Sequence, residues 1–276
     1  MLNSTDHRVR RLGSRLAAAL ALCAVIGCAG TYKKGSLEPP EIVYQDARRL
    51  MVKGKYYKVR SSLQEVLPRI PPEDLELLPM VQLTLADAFF LDGGLLNYGE
   101  ALNSYRSFLT FFPTHPKADY AQYMVGMSLF EQILAPDRDQ TITKRAIGEL
   151  NKLEALYPFS DYVLEGRKAI QTSLDQLAEH ERVIGWFYQR RKAWEAAIGR
   201  YRNLMAAFPQ AGNMNQVLLD LATCLLKIDQ RTEAADLLDR LNREDADGKL
   251  AKRGQRRLRD YDEEQAKLRK KMGGGS

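Results

Sequence analysis

The chain has 276 residues, 45% of them hydrophobic and 28% charged, with 41 Lys and Arg against 35 Asp and Glu, three His and three Cys. That is long enough for one large domain or a repeat array, and too poor in cysteine for a disulfide-built fold. The net charge of +6 does not describe the body of the chain. Residues 1–27 carry four Arg against one Asp, and residues 243–276 carry eleven Lys and Arg against seven acids, so the stretch between them is close to neutral. A basic face for nucleic acid is therefore disfavoured.

In chain order, Arg8, Arg10, Arg11 and Arg15 precede an unbroken run of small and apolar residues from Leu16 to Ile26. The run is about half the length needed to span a bilayer. A basic start, a short apolar stretch and a small residue before the cut describe a secretory signal peptide over 1–27. Val25-Ile26-Gly27-Cys28 resembles the bacterial lipobox, so Cys28 is expected to be acylated and to become the first residue of the mature chain. Two or more acyl chains hold a protein on a membrane without a spanning helix. Ala29 follows the anchor, where the absence of Asp favours the outer membrane. Residues 28–40, with Gly35, Ser36, Pro39 and Pro40, read as the lipidated start and a tether.

From 41 to 242 an internal repeat organises the sequence. Val59, Leu63, Val66, Ile70 and Pro71 share their spacing with Ala101, Tyr105, Phe108, Phe112 and Pro113. The same spacing returns at Ala146, Leu150, Leu153, Tyr157 and Pro158, and again at Ala197, Tyr201, Leu204, Phe208 and Pro209. Positions 0, 4, 7 and 11 form one apolar stripe of an α-helix, and the Pro at 12 ends it. Each stripe follows another apolar-periodic segment: Tyr44, Ala47 and Leu50; Leu83, Ala86 and Phe90; Tyr120, Tyr123, Gly126 and Phe130. Helix, turn, helix and Pro make a tetratricopeptide (TPR) unit. A fifth pair is expected near Met214–Ile228 and Arg231–Leu241, where Ala234, Leu238 and Leu241 keep the spacing and the Pro is lost, as in a capping repeat. The predicted fold is all-α, a TPR-like α-solenoid of about five helix pairs.

Extensions separate the units. Pro136-Asp137-Arg138-Asp139 reads as a loop before a helix over Thr141–Leu156. Ser160 to about Arg191 reads as one helix of about 45 Å, with Ser160 as its N-cap. Cys224, on an apolar helical face, reads as an inert packed thiol. Residues 243–276 form a charged C-terminal tail with few Leu, expected as a solvated helix or a disordered segment rather than core.

No catalytic, cofactor or metal site is expected. His115 and His180 lack Cys, Asp or Glu partners at zinc or catalytic spacing, and no phosphate-binding glycine loop or nucleophile motif occurs. His115 reads as a turn residue. Two surfaces could bind protein. Trp186, Phe187, Tyr188 and Trp194 cluster with Arg190, Arg191 and Arg200. Three consecutive aromatics about 100° apart cannot all face one core, so the cluster reads either as packing or as an interface anchor. Tyr120, Tyr123 and Met127 form a second stripe, which reads either as core or as the wall of a peptide groove.

Several stretches resemble the BamD (ComL) family of outer-membrane assembly lipoproteins. They are Phe112-Pro113-Thr114-His115-Pro116 with Asp119-Tyr120, Tyr123-Met124 and Gly126; then Asp137-Arg138-Asp139; then Tyr157-Pro158 with Ser160 and Tyr162. Leu177-Ala178, Glu181, Tyr188, Arg191, Ala193-Trp194 and Arg200 complete the likeness. The resemblance implies a non-enzymatic scaffold and receptor of the β-barrel assembly (BAM) machinery, lipid-anchored on the outer membrane and facing the periplasm. It implies binding to a BamA-type barrel subunit through the half containing Trp186, Tyr188, Arg191, Trp194 and Arg200. It implies reception of unfolded outer-membrane proteins nearer Tyr120, Tyr123 and Met127, with other lipoproteins of the machinery as further partners and no nucleic acid. Lys192 stands where the family often has Gly, Val59 where it has a small Ala, and the tail is longer. The alternative is a TPR lipoprotein for pilus secretin assembly or cell-wall coordination.

Overall fold

A computed structural model describes residues 38–245 and 248–273. The expected signal peptide, Cys28 and most of the tether lie outside the described residues, as do residues 274–276. Eleven α-helices and no strand occur among the described residues. They pair as α1 (Pro40–Val52) with α2 (Tyr56–Val66), α3 (Leu77–Asp92) with α4 (Leu95–Phe111), and α5 (Ala118–Phe130) with α6 (Thr141–Leu156). The array continues with α7 (Val163–Arg190) and α8 (Trp194–Ala207), then α9 (Met214–Lys227) and α10 (Arg231–Glu244), and ends on α11 (Lys249–Gly273). Each helix packs on the next in sequence. First helices also meet the first helices of neighbouring units, as α1 with α3, α5 with α7, and α7 with α9. First helices therefore form the inner layer of the stack and second helices the outer one.

The repeated stripe is the core of the second helices. Val59, Leu63 and Val66 in α2, Ala101, Tyr105 and Phe108 in α4, and Ala146, Leu150 and Leu153 in α6 are all at most 1% exposed. Ala197, Tyr201 and Leu204 in α8 match them, as do Ala234, Leu238 and Leu241 in α10, at no more than 2%. The repeat extends to the backbone at three of the four Pro stops; at the first, a 3-10 turn over Leu67–Arg69 intervenes and Ile70 is extended (−84/126). Phe112, Tyr157 and Phe208, each preceding a Pro, share φ near −130° and ψ near 60° (−130/56, −132/61 and −131/59). The following pyrrolidine ring disfavours the helical conformation at that residue, and the chain leaves α4, α6 and α8 in the same direction.

Two differences from the sequence reading have clear causes. The long helix α7 begins at Val163, and Tyr162 rather than Ser160 occupies its capping position without a side-chain bond. Ser160 is held earlier in the turn, where its Oγ accepts the Tyr162 N–H (3.2 Å) and donates to Asp119 Oδ2 (2.7 Å). That turn aims Tyr162 at α5, 5.3 Å from the Tyr120 ring and stacked 5.1 Å from Tyr123. The charged tail is not wholly solvated either. The start of α11 lies against α9 and α10, with Ala251 2% exposed and Gly254 buried. Small residues, rather than leucines, let that helix approach.

Buried side chains form two blocks. One runs from Val43 to Ala146 through the first three pairs, the other from Ala178 to Ala251 through the last two pairs and α11. At 28 residues, about 42 Å long, α7 runs from beside α6 into the second block, to which its Ala178 and Tyr188 belong. Its first half faces α6 through Gly166 and Ala169, and its second half carries α8 and α9.

Candidate protein-docking surfaces

The aromatic–arginine cluster sits where α7 turns into α8. Along α7 the apolar stripe faces inward, so the three consecutive aromatics are distributed around the helix. Tyr188 packs on the C-terminal core together with Trp194, while Trp186 and Phe187 remain 44% and 46% exposed. The exposed rings are covered by cations. The Arg190 guanidinium lies 4.7 Å from the Trp186 ring centre, and that of Arg191 lies 4.2 Å from Phe187. Phe187 also meets Tyr188 edge-on at 5.6 Å. A planar guanidinium over a ring keeps its outer edge of N–H donors, so the pair presents an apolar floor rimmed by donors.

The turn itself is a repeated device. Gly54, Lys192 and Asp229 occupy the same place in the α1–α2, α7–α8 and α9–α10 turns, with φ of 65°, 62° and 59°. In each, the next residue's N–H reaches back five residues to a helix carbonyl: Lys55 to Leu50, Ala193 to Tyr188, Gln230 to Leu225 (3.0–3.1 Å). This is the Schellman closure, which wants a left-handed residue and favours Gly. Lys192 meets the requirement at a cost in backbone strain.

Arg200 on α8 is partly exposed and donates to Glu181 Oε2 on α7 (3.3 Å), fastening α8 to the long helix. The proposed partner-binding residues thus divide. Trp186 and Arg191 face outward, Tyr188 and Trp194 face the core, and Arg200 bridges two helices.

The tyrosine stripe on α5 is more deeply built in. Tyr105 and Tyr120 both donate to Asp87 Oδ1 on α3 (2.6 and 2.9 Å), and their rings meet edge-on at 6.3 Å. Burial pushes the Asp87 carboxyl above its ordinary value, against the lowering effect of the two hydroxyls and Lys117. Burial beside the same carboxylate raises both tyrosines. Met127 packs on the N-terminal core, and Tyr123 stacks on Tyr162. Tyr120 therefore ties three helices together, and Tyr123, stacked on Tyr162, is the less deeply buried of the two α5 tyrosines. Asp87 was not singled out from sequence, although it lies on the stripe of Leu83, Ala86 and Phe90.

The histidines have local work. His115 Nδ1 accepts the Lys117 N–H (3.1 Å) in the turn before α5. His180 Nδ1 donates to the Pro136 carbonyl (2.6 Å) and, with Gln176 Nε2 to Leu134 O (2.7 Å), pins the 134–140 loop to α7. No cluster of three or more His, Cys, Asp or Glu side chains suited to a metal occurs among the described residues. No helix among them is long and apolar enough to cross a membrane.

With this geometry in place, the comparisons with known proteins are decisive about family. The family described as outer membrane lipoprotein, YfiO, matches residues 37–237. The chain belongs to the YfiO family. The matched region covers all five helix pairs except the end of α10 and stops before α11. Among its relatives, an outer membrane protein assembly factor BamD from Caulobacter vibrioides is 29% identical over 223 residues, covering 79% of this chain and 72% of that one. A BamD from Vibrio cholerae is 28% identical over 204 residues, covering 70% and 83%. A solved kinesin light chain with nearly identical TPR-like repeats, from Podosopora anserina, aligns over 75% of this chain and 96% of that one, at 16% identity and a TM-score of 0.35.

Proposed function

We propose that this YfiO-family protein is a non-enzymatic scaffold and receptor for the insertion of β-barrel proteins into the outer membrane, held on that membrane through acylated Cys28. Its relatives carry the name of outer membrane protein assembly factors. The observation that carries a docking role is the pair of half-exposed rings at Trp186 and Phe187, each capped by an arginine. Half-exposed Trp beside Arg is the chemistry of interface anchors, because such groups bury much area at low entropic cost. The occupant of this surface is a BamA-type barrel subunit. Trp186 and Arg191 make contact, while Tyr188, Trp194 and Arg200 hold α7 and α8 in the geometry that presents them.

Unfolded outer-membrane proteins occupy the inner face of the first half of the array. There the Tyr123–Tyr162 stack and Met127 supply apolar contact for an extended segment, and Tyr120 fixes α5 behind them. Other lipoproteins of the machinery complete the assembly.

Affinity purification of the full chain from membranes tests this reading. A BamA homologue should be recovered, and recovery should fall with Arg191→Glu while the fold is retained. Recovery of a secretin in place of a BamA homologue would overturn it in favour of a pilus-assembly role.

A further inference from the structure

The helix α11 outlasts its support. Its inward stripe runs 251, 254, 258, 261, 265, with Ala251 and Gly254 buried and Leu258 and Tyr261 packed against the C-terminal core. The last contacts meet the α9–α10 turn and the start of α10. Asp262 accepts a bidentate pair from Arg231 (2.6 and 2.8 Å), and Tyr261 Oη and Gln265 Nε2 both donate to Asp229 Oδ1 (3.1 and 3.2 Å). After Gln265 every residue from 266 to 272 is exposed.

The stripe does not stop where the packing does. Leu268 and Met272 continue it by the same three- and four-residue steps, 46% and 85% exposed. Lys267, Arg269, Lys270 and Lys271 fill the positions around them, and residues 265–276 contain no acid. At about 100° per residue, Arg269 and Lys271 stand about 80° to either side of the line between Leu268 and Met272, with Lys267 next and Lys270 opposite. Cations thus flank a narrow apolar strip on both sides.

We propose that the unsupported end of α11 lies on an anionic lipid headgroup surface, with Leu268 and Met272 inserted between headgroups, the flanking Arg269 and Lys271 on phosphates, and Lys267 beside them. Two apolar side chains cannot form the core of a protein interface, which takes about 800 Å² from each partner. They suffice for a helix lying in a membrane interface, where apolar insertion and attraction to anionic lipid act together. Cations on both flanks suit a plane of spread negative charge, and Lys and Arg stems carry their charge to the phosphates while the apolar strip sinks. The site is independent of acylation at Cys28 and lies outside the region shared with the YfiO family.

The test uses the full chain with Cys28→Ser, so that no acyl chain contributes, sedimented with vesicles of phosphatidylglycerol and phosphatidylcholine or of phosphatidylcholine alone. Any pull from the apolar run 16–26 is common to all arms. Combined Lys267→Gln, Arg269→Gln, Lys270→Gln and Lys271→Gln should lower partition onto the anionic vesicles at least about tenfold, and Leu268→Ser with Met272→Ser should lower it as well. Circular dichroism and the thermal midpoint should not move, because these side chains support no packing. Equal binding of parent and variants to anionic vesicles would overturn the proposal. So would variants that bind vesicles normally but lose a crosslinked protein partner in membranes, which would make the strip a protein-docking site.

Discussion

The backbone of Gly185 lies directly against the ring of Tyr201: a Cβ placed on the glycine would stand 2.5 Å from Tyr201 Cε1. Tyr201 is fully buried and its hydroxyl donates to Gln189 Oε1 one turn further along α7 (2.8 Å), so the ring is held at both ends. This contact sets the distance between α7 and α8 beneath the aromatic–arginine cluster. Gly185→Ala should cost about 1–3 kcal/mol of stability by overpacking. Urea denaturation of parent and variant checks it, and unchanged stability would show that the two helices can part without cost.

Lys192 occupies a left-handed position that Gly54 fills in the first unit with φ nearly the same. The strain at a non-glycine residue there exceeds what glycine loses in unfolded-chain freedom. Lys192→Gly is therefore expected to stabilise the fold by up to about 1 kcal/mol, and Lys192→Val to destabilise it. Thermal melts of the three chains give the order.

Glu179 accepts two bonds from Arg182 (2.6 and 2.8 Å) and one from Asn213 (2.7 Å), tying α7 to the start of α9. Bonding to Arg182 lowers the Glu179 carboxyl below 4.5, outweighing the opposing effect of burial. A depressed carboxyl adds stability that is present above its unfolded value and is lost as pH falls through its folded value. Stability should accordingly drop on acidification below about 4.5, and Glu179→Gln should flatten that limb. Burial raises Asp220, the other acid beside Arg182, which acts in the opposite sense in both chains. Denaturation midpoints measured against pH would contradict the assignment if the two limbs coincided.

Cys224 is fully buried in α9, and burial pushes its thiol up to about 12. Alkylation depends on the thiolate. Peptide mass spectrometry should find Cys224 unmodified by iodoacetamide at pH 8 in the folded protein and modified in urea. Modification of the folded chain at the rate of a free thiol would mean that α9 opens readily.

Trp186 and Arg191 project from the fold, whereas Trp194 supports it. Trp186→Ala and Arg191→Glu should weaken capture of a BamA homologue at least tenfold, as truncation of an interface anchor does, with little change in melting temperature. Trp194→Ala should lower both. Pull-down and thermal denaturation on the same preparations separate the two classes.

The second helices were legible residue by residue, because a stripe at 0, 4, 7 and 11 followed by Pro can be buried in only one way. Every residue at positions 0, 4 and 7 of that spacing in α2, α4, α6, α8 and α10 is buried, whereas Phe112, Tyr157 and Phe208 at position 11 are partly buried. The first helices were less legible. They are apolar on more than one side, since each packs against its own partner and against neighbouring units, and a polar member such as Asp87 hides among them. The beginning of α11 was missed because Ala251 and Gly254 carry little hydrophobic signal; their contribution is the absence of bulk, which only a neighbouring helix makes visible.

Local patterning by itself determined that this chain is a row of helix pairs, where α4, α6 and α8 end, and that aromatics 186–188 could not all be core. Those properties depend on helical period and on proline geometry, which act over a dozen residues or fewer. Which aromatic faces out, which tyrosine gives its hydroxyl to a buried carboxylate, and where α11 loses its support were decided by tertiary structure. Each of these depends on how close two helices distant in sequence come, and that distance is set by the bulk of both partners at once.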